Sequence, residues 1–454
     1  MTAPGTGRVR PDDAASAPVP VGAATHVGAA GGSALDAGTG AGPGSGEAAP
    51  VGAATFRRAW ADLAPVGRAP DGAGYHRFAW TREDHTLREW FAGEAAARGL
   101  DLVTDRAGNQ WAWWGDADAT PGVVTGSHLD SVPGGGAFDG PLGVVSAFAA
   151  LDVLRARGVR PARPLGVAAF VDEEGARFGV ACAGSRLVTG VLDADRARAL
   201  RDADGTTMAD ALRAAGRDPA SLGPDPDALA RVGAFVELHV EQGRGLVHAG
   251  EPVGVGRMIW PHGRWRVELR GQANHAGTTP LADRDDPMLD LAAFVQHVRT
   301  AAMTAGALAT VGKVRVEPNG VNAIPSQVTA WLDVRAEDED RVRAVLAALA
   351  TWAPTEESWT PVTWLDADLA DDVAEALGAT GLGAADAGVP RLGTGAGHDA
   401  GILAAAGVPT AMLFVRNPTG VSHAPAEDAD EADCLTGVDA LATTLEHLLT
   451  RDRA

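Results

Sequence analysis

Four short apolar runs in this chain each lead into a histidine or a carboxylate. Residues 123–125 run into Gly126-Ser127-His128, 165–171 into Asp172-Glu173-Glu174, and 235–238 into His239, while 410–415 lead toward His423. A short, continuous apolar run bounded by glycine and polar residues reads as a fully buried strand. Such strands belong to parallel sheets covered by helices on both faces. In sheets of that kind, functional groups gather at the carboxyl ends of the strands. The pattern therefore restricts the chain to an α/β architecture with a polar crevice at one end of its sheet.

The 454 residues exceed one ordinary core, so two domains are expected. An apolar fraction of 46% supports a folded protein, and a formal charge of -21 disfavours nucleic acid or an anionic membrane as a partner. No apolar run approaches the roughly 20 residues of a membrane span. Cys182 and Cys434 are too few for a disulfide framework and read as reduced thiols of a cytoplasmic protein. Residues 1–54 are rich in Ala, Gly, Pro and Ser, hold few large apolar side chains, and read as a disordered extension without a secretory signal.

Order is expected from about Thr55, where Phe56, Trp60 and Leu63 have helical spacing. A helix is expected after Asp139, over 141–154. From about residue 257 the pattern changes: alternating segments at 265–269, 311–316 and 328–334, helical segments at 287–304 and 338–352, and a final strand at 362–365. That β-α-β-β-α-β order suits a small open sheet with helices on one face. The resulting division is 1–54 extension, 55–256 first part of the main domain, 257–366 insertion, and 367–454 second part.

The chemistry concentrates where the strands end. His128 precedes Asp130, which can accept its second ring N–H. Asp139 lies beyond the glycine turn 134–136, free to fold back toward His128; it could equally cap the following helix. Of Glu173 and Glu174, one can hold a metal while the other moves a proton. With His239 and His423 these give five protein ligands, a set suited to two divalent ions that share a water, and hence to hydrolysis. In the insertion, His275 and Asn322 can donate to a developing oxyanion or simply brace turns. Arg335 can grip a substrate carboxylate or form a surface ion pair.

These segments, in this order, resemble the dinuclear-metal aminoacylase/carboxypeptidase superfamily. More narrowly they resemble its amidase/hydantoinase/carbamoylase branch, which includes allantoate amidohydrolases, N-carbamoyl-L-amino acid hydrolases and β-ureidopropionases. The matching stretches are 126–132, 173–178, 237–243, 274–280, 395–400 and 422–425. The resemblance implies a metallopeptidase-like α/β domain, a mixed central sheet flanked by helices, with an inserted ferredoxin-like α+β lid and dimerisation domain. It implies His128 and His239 on one metal, Glu174 and His423 on the other, and Asp139 bridging. Glu173 would be general base and acid, and Asp130 would orient His128. Gln242, His275, Asn322, Arg335 and His398 would contact a ureido or N-acyl amino acid, with His275 reaching the partner's site in a homodimer. The donor set suits zinc or manganese, with cobalt or nickel as alternatives. Arg416, in Phe414-Val415-Arg416-Asn417, points to allantoate as substrate, through a second polar group; N-carbamoyl- and N-formyl-L-amino acids are the alternatives.

Overall fold

The computed structural model describes residues 49–383 and 388–451. The extension read over 1–54 lies outside the described residues up to 48. Order begins earlier than Thr55, with the helix Val51–Leu63. Phe56, Ala59 and Leu63 recur at helical spacing and are all buried.

Strands are numbered in chain order: β1 (Asp101–Thr104), β2 (Gln110–Trp114), β3 (Gly122–His128), β4 (Leu165–Phe170), β5 (Val232–Val240), β6 (Val253–Ile259), β7 (His262–Arg270) and β8 (Asn274–His275). There follow β9 (Leu308–Glu317), β10 (Ala323–Ile324), β11 (Gln327–Arg335), β12 (Thr355–Thr360), β13 (Thr363–Trp364), β14 (Arg391–Thr394) and β15 (Thr410–Val415).

A nine-stranded mixed sheet runs in the order β1-β2-β4-β3-β5-β15-β6-β13, with β14 also paired to β6. Its centre is parallel: β4 with β3, β3 with β5, and β5 with β15. Every residue of β3, β4 and β15 is buried, as an apolar run without alternation requires. The helix Pro141–Ala156 covers one face, where it packs with the helices Val51–Leu63 and Glu431–Thr450. Leu365, Ala400 and Leu403 belong to a second apolar cluster, around Phe170, Phe235 and Phe414 of the sheet.

The segment between β6 and β13 forms a separate four-stranded antiparallel sheet, β12-β7-β11-β9, with its own apolar cluster that includes Phe294, Val298, Val342 and Val345 of the helices Pro287–Ala305 and Glu339–Ala348. One strand expectation is corrected. The segment at 362–365 does not close this sheet: Thr363–Trp364 pairs with β6 of the large sheet, and Thr355–Thr360 takes the edge beside β7. The sequence Thr-Glu-Glu-Ser-Trp-Thr carries too little apolar character to stand out as a strand. It pairs through its backbone at a sheet edge instead. Among the described residues no helix is long and apolar enough to cross a membrane.

Candidate metal centre

His128 is the last residue of β3, His239 lies near the end of β5, Glu173 and Glu174 follow β4, and His423 sits in the loop after β15. Because these four strands are neighbours and mutually parallel, residues 295 positions apart in the chain meet at one end of the sheet. Asp139 reaches the same place just before the helix Pro141–Ala156. Between them, Gly140 has φ +86°, and a Cβ there would lie 2.4 Å from the His128 ring. Only glycine combines that backbone with that approach. The alternative of Asp139 as a helix cap is not realised: Gly140 holds the cap position and no side chain caps it.

Asp139 is the hub of the cluster. Its Oδ1 lies 3.2 Å from Nε2 of His239 and 3.6 Å from Nε2 of His128. Its Oδ2 lies 3.3 Å from Nε2 of His423, which in turn is 3.5 Å from Glu174. Two groups of potential ligand atoms result, His128–Asp139–His239 and Asp139–Glu174–His423, each with its atoms within 4.8 Å of one another. They share one carboxylate, one oxygen to each side. The donor atoms of Glu237, His239 and His398 lie equally close to one another. Glu237 is already engaged there, accepting from Ser127 Oγ (2.7 Å) and the Ala400 amide (3.0 Å).

The donors fit divalent ions on direct grounds. Nε2 of His128, Nε2 of His239 and Oε1 of Glu174 are buried without hydrogen-bond partners, an arrangement that a buried polar atom tolerates only if something else satisfies it. The other ring nitrogens are already used: Nδ1 of His128 faces the Asp130 carbonyl at 3.2 Å and Nδ1 of His239 the Val240 carbonyl at 2.9 Å, which turns both Nε2 atoms inward. The electrostatics agree. Burial and then the charge of Asp139 raise Glu174 to about 7. Burial alone would lower His128, but Glu173, Asp130 and Asp139 outweigh it and hold its pKa well above the ordinary value. The crevice thus concentrates negative charge that calls for cations.

Glu173 is buried, with Oε2 3.7 Å from Nε2 of His128. Burial first, with neighbouring carboxylates, pushes its pKa well above the usual range, the condition a proton-transferring carboxyl needs. Asp130 does more than face His128. The nearest acceptor for His128 is its backbone carbonyl, with the carboxylate oxygen at 3.5 Å. Its two carboxylate oxygens accept the Glu173 and Glu174 amides at 3.1 and 3.0 Å. Asp130 therefore ties the β3 and β4 loops together.

Of the remaining sequence-derived residues, Gln242 donates to Asp139 Oδ2 and to Ser422 Oγ, both at 2.9 Å. His398 is buried with its ring 4.5 Å from that of His239, and burial followed by the His239 charge holds its pKa well below the ordinary value. Arg335 pairs with Asp333 at 2.7 Å and donates to the Gly395 carbonyl at 2.6 Å, linking the smaller sheet to the loop that carries His398. His275 and Asn322 are not brought to the cluster. Both are exposed, His275 in β8 and Asn322 in the turn before β10, and among the described residues neither bonds to the histidines or carboxylates of the cluster. Arg416 does not project a free guanidinium: it is paired with Asp433 at 2.8 Å.

Three contributors escaped the sequence reading. Glu237 braces β5 beneath His239, Cys182 donates to Glu173 Oε1 at 3.1 Å, and Glu427 accepts the amides of Phe138 and Asp139. Glu237 lies inside the stretch 237–243 already noted for its histidine, and Glu427 two residues beyond the stretch 422–425. Nothing local marks Cys182, since its contact depends on a loop folding back.

Comparison with known proteins is consistent with this geometry. Residues 124–447 match the profile of peptidase family M20/M25/M40. The chain is 37% identical over 404 residues to an N-carbamoyl-L-amino acid amidohydrolase of Geobacillus stearothermophilus, covering 85% of this chain and 96% of the relative. It is 33% identical over 408 residues to the allantoate amidohydrolase of Escherichia coli, covering 85% and 95%. A crystal structure of a hydantoinase/carbamoylase family amidase from Burkholderia ambifaria superimposes with a TM-score of 0.73 at 32% identity, covering 88% of this chain and 98% of that one.

Proposed function

The chain belongs to peptidase family M20/M25/M40 and is a hydrolase of non-peptide C–N bonds, and from that premise we infer that it removes the carbamoyl group of an N-carbamoyl-L-amino acid. The observation that carries this reading is the division of Asp139 between two donor groups, with Glu173 beside them. His128 and His239 would hold one divalent ion, Glu174 and His423 a second, and Asp139 both; zinc or manganese suits these donors best. Such ions, when bound, polarise a carbonyl and lower the pKa of water toward neutrality.

The chain's own residues supply the rest. Glu173, kept basic by burial, takes the proton of the attacking water and returns it to the leaving nitrogen. Asp130 holds the Glu173 backbone in place through its carboxylate. Arg335 is the candidate partner for the substrate carboxylate, and Gln242 and His398 line the approach. His275 and Asn322 are assigned to the developing oxyanion, brought to it by closure of the 257–366 segment or, in a homodimer, from the partner subunit. The carbamoyl group leaves as ammonia and carbon dioxide, and the free amino acid remains.

Allantoate is the second reading, supported by the Escherichia coli relative. It ranks second because the N-carbamoyl-L-amino acid amidohydrolase relative is the more similar of the two, 37% identical against 33%. The test is product analysis by mass spectrometry. Manganese- or zinc-loaded protein is incubated separately with N-carbamoyl-L-amino acids, allantoate and N-formyl-L-glutamate, with Glu173→Gln protein as control. Faster release from the carbamoyl amino acids supports the first reading, and preference for allantoate replaces it with the second.

A further inference from the structure

Glu427 is a buried carboxylate whose bonds go to the other ligand-bearing loop rather than to a ligand side chain. Its Oε1 accepts two successive backbone amides, Phe138 at 3.0 Å and Asp139 at 2.9 Å. Its Oε2 faces Ser422 Oγ at 3.3 Å, next to His423. The strand of chain it grips follows Pro133-Gly134-Gly135-Gly136, a run that on its own has wide conformational freedom. Gly136 makes room for the clamp: a Cβ there would lie 2.4 Å from Glu427 Oε1 and 2.5 Å from its Cβ. Two amide bonds to one carboxyl oxygen fix both the position and the direction of the chain that donates them.

We propose that Glu427 is a positioning residue that sets the Asp139 carboxylate between the two donor groups and locks the Asp139 loop to the His423 loop. The consequence is that both halves of the cluster depend on one side chain that ligates neither. This rests on the reading of Asp139 and His423 as metal ligands. Asp139 can divide its oxygens between His239 and His423 only if its backbone is held, and no other side chain accepts its amide among the described residues.

The test uses the full chain, stripped with a chelator and titrated with zinc or manganese against a chromophoric competitor. Thermal melting and steady-state kinetics are run in parallel. Glu427→Ala should stay folded, lose about 10- to 100-fold in metal affinity, and lose a similar factor in kcat. Its KM should change by less than about threefold, because the substrate contacts are untouched. Glu427→Gln keeps an acceptor oxygen in place and should recover most of both losses. Gly136→Ala crowds the clamp without removing a polar group and should weaken metal binding in the same direction. Adding it to Glu427→Ala should cost little more.

Asp139→Ala separates the two levels of the argument. If Asp139→Ala loses metal while Glu427→Ala and Gly136→Ala bind it like the parent, the positioning role is overturned and the ligand reading stands. If Asp139→Ala itself binds metal normally, the ligand reading fails and the inference with it. A Glu427→Gln protein that is folded but as defective as Glu427→Ala would also overturn the proposal, as would unchanged affinity in Gly136→Ala should Glu427→Ala fail to fold.

Discussion

The thiol of Cys182 donates to Oε1 of Glu173 across 3.1 Å, and both side chains are buried. One oxygen of that carboxyl is thereby occupied and the other is left toward His128. Burial first, then the charges of Glu173 and Asp399, push the Cys182 pKa well above that of a free thiol, so it stays protonated and donates at neutral pH. Cys182→Ala would leave a buried carboxylate oxygen short of a donor, a loss of about 1–3 kcal/mol. We expect a clear drop in kcat and a lower melting temperature, with Cys182→Ser closer to the parent. The same burial predicts that neither cysteine reacts with a thiol reagent in the native protein and that two react after denaturation. Rapid native labelling at Cys182 would contradict the enclosed contact.

Glu173→Gln keeps the size of the side chain and removes its basicity. The expected outcome is unchanged metal content with kcat lower by about 10²- to 10⁴-fold, the usual range for a lost general base. Metal analysis alongside single-turnover kinetics checks it. Near-normal turnover would remove Glu173 from the proposed role.

His423 predicts opposite pH trends for stripped and loaded protein. The hydrogen bond to Asp139 comes first, and with the charges of Glu174 and Asp139 it raises the His423 pKa from 6.5 to about 9. A pKa raised on folding adds stability that is fully present below the unfolded value of 6.5 and disappears as pH rises through about 9. A bound cation needs the neutral ring, so metal affinity moves the other way and strengthens over the same interval. Melting curves from about pH 6 to about pH 9.5 should show the gap between loaded and stripped protein widening with pH. A constant gap would mean that His423 does not exchange a proton for metal.

Arg416 separates structure from specificity. Asp433 is nearly buried, with its side chain 8% exposed, and Arg416 is its partner. Arg416→Ala should therefore destabilise the protein by about 1–3 kcal/mol through the abandoned carboxylate. The ratio of activity on allantoate to activity on N-carbamoyl-L-amino acids should stay the same. A shift of about tenfold or more in that ratio would restore Arg416 as a substrate contact.

Much of the centre was legible because strand ends announce themselves. His128, Glu173 and His239 each close a run that cannot be anything but buried, and Asp139 follows a turn built of glycine. What stayed hidden depends on long-range return of the chain. Glu427 stands among Asp428, Asp430 and Glu431, and nothing in that acidic stretch marks it as the buried one of the four. Asp130 was noted for its imidazole, yet its carboxylate serves backbone amides of a loop more than forty positions away, a contact that leaves no periodic trace. The strand Thr355–Thr360 was missed because it pairs at an edge without burying its side chains. The pairing of Arg416 was equally hidden, because Asp433 lies on a helix formed by later residues.

The place of β15 in the large sheet has a consequence for the order of events as the chain emerges. This strand, drawn from residues 410–415, sits between β5 and β6, which precede it by more than 150 positions. Until it has been synthesised the sheet has a gap at its centre, with two unpaired edges facing each other. The His423 loop also has no anchor until then. Closure of the large sheet and anchoring of the His423 loop therefore come late, and a nascent chain halted before residue 410 should be bound by chaperones rather than by metal.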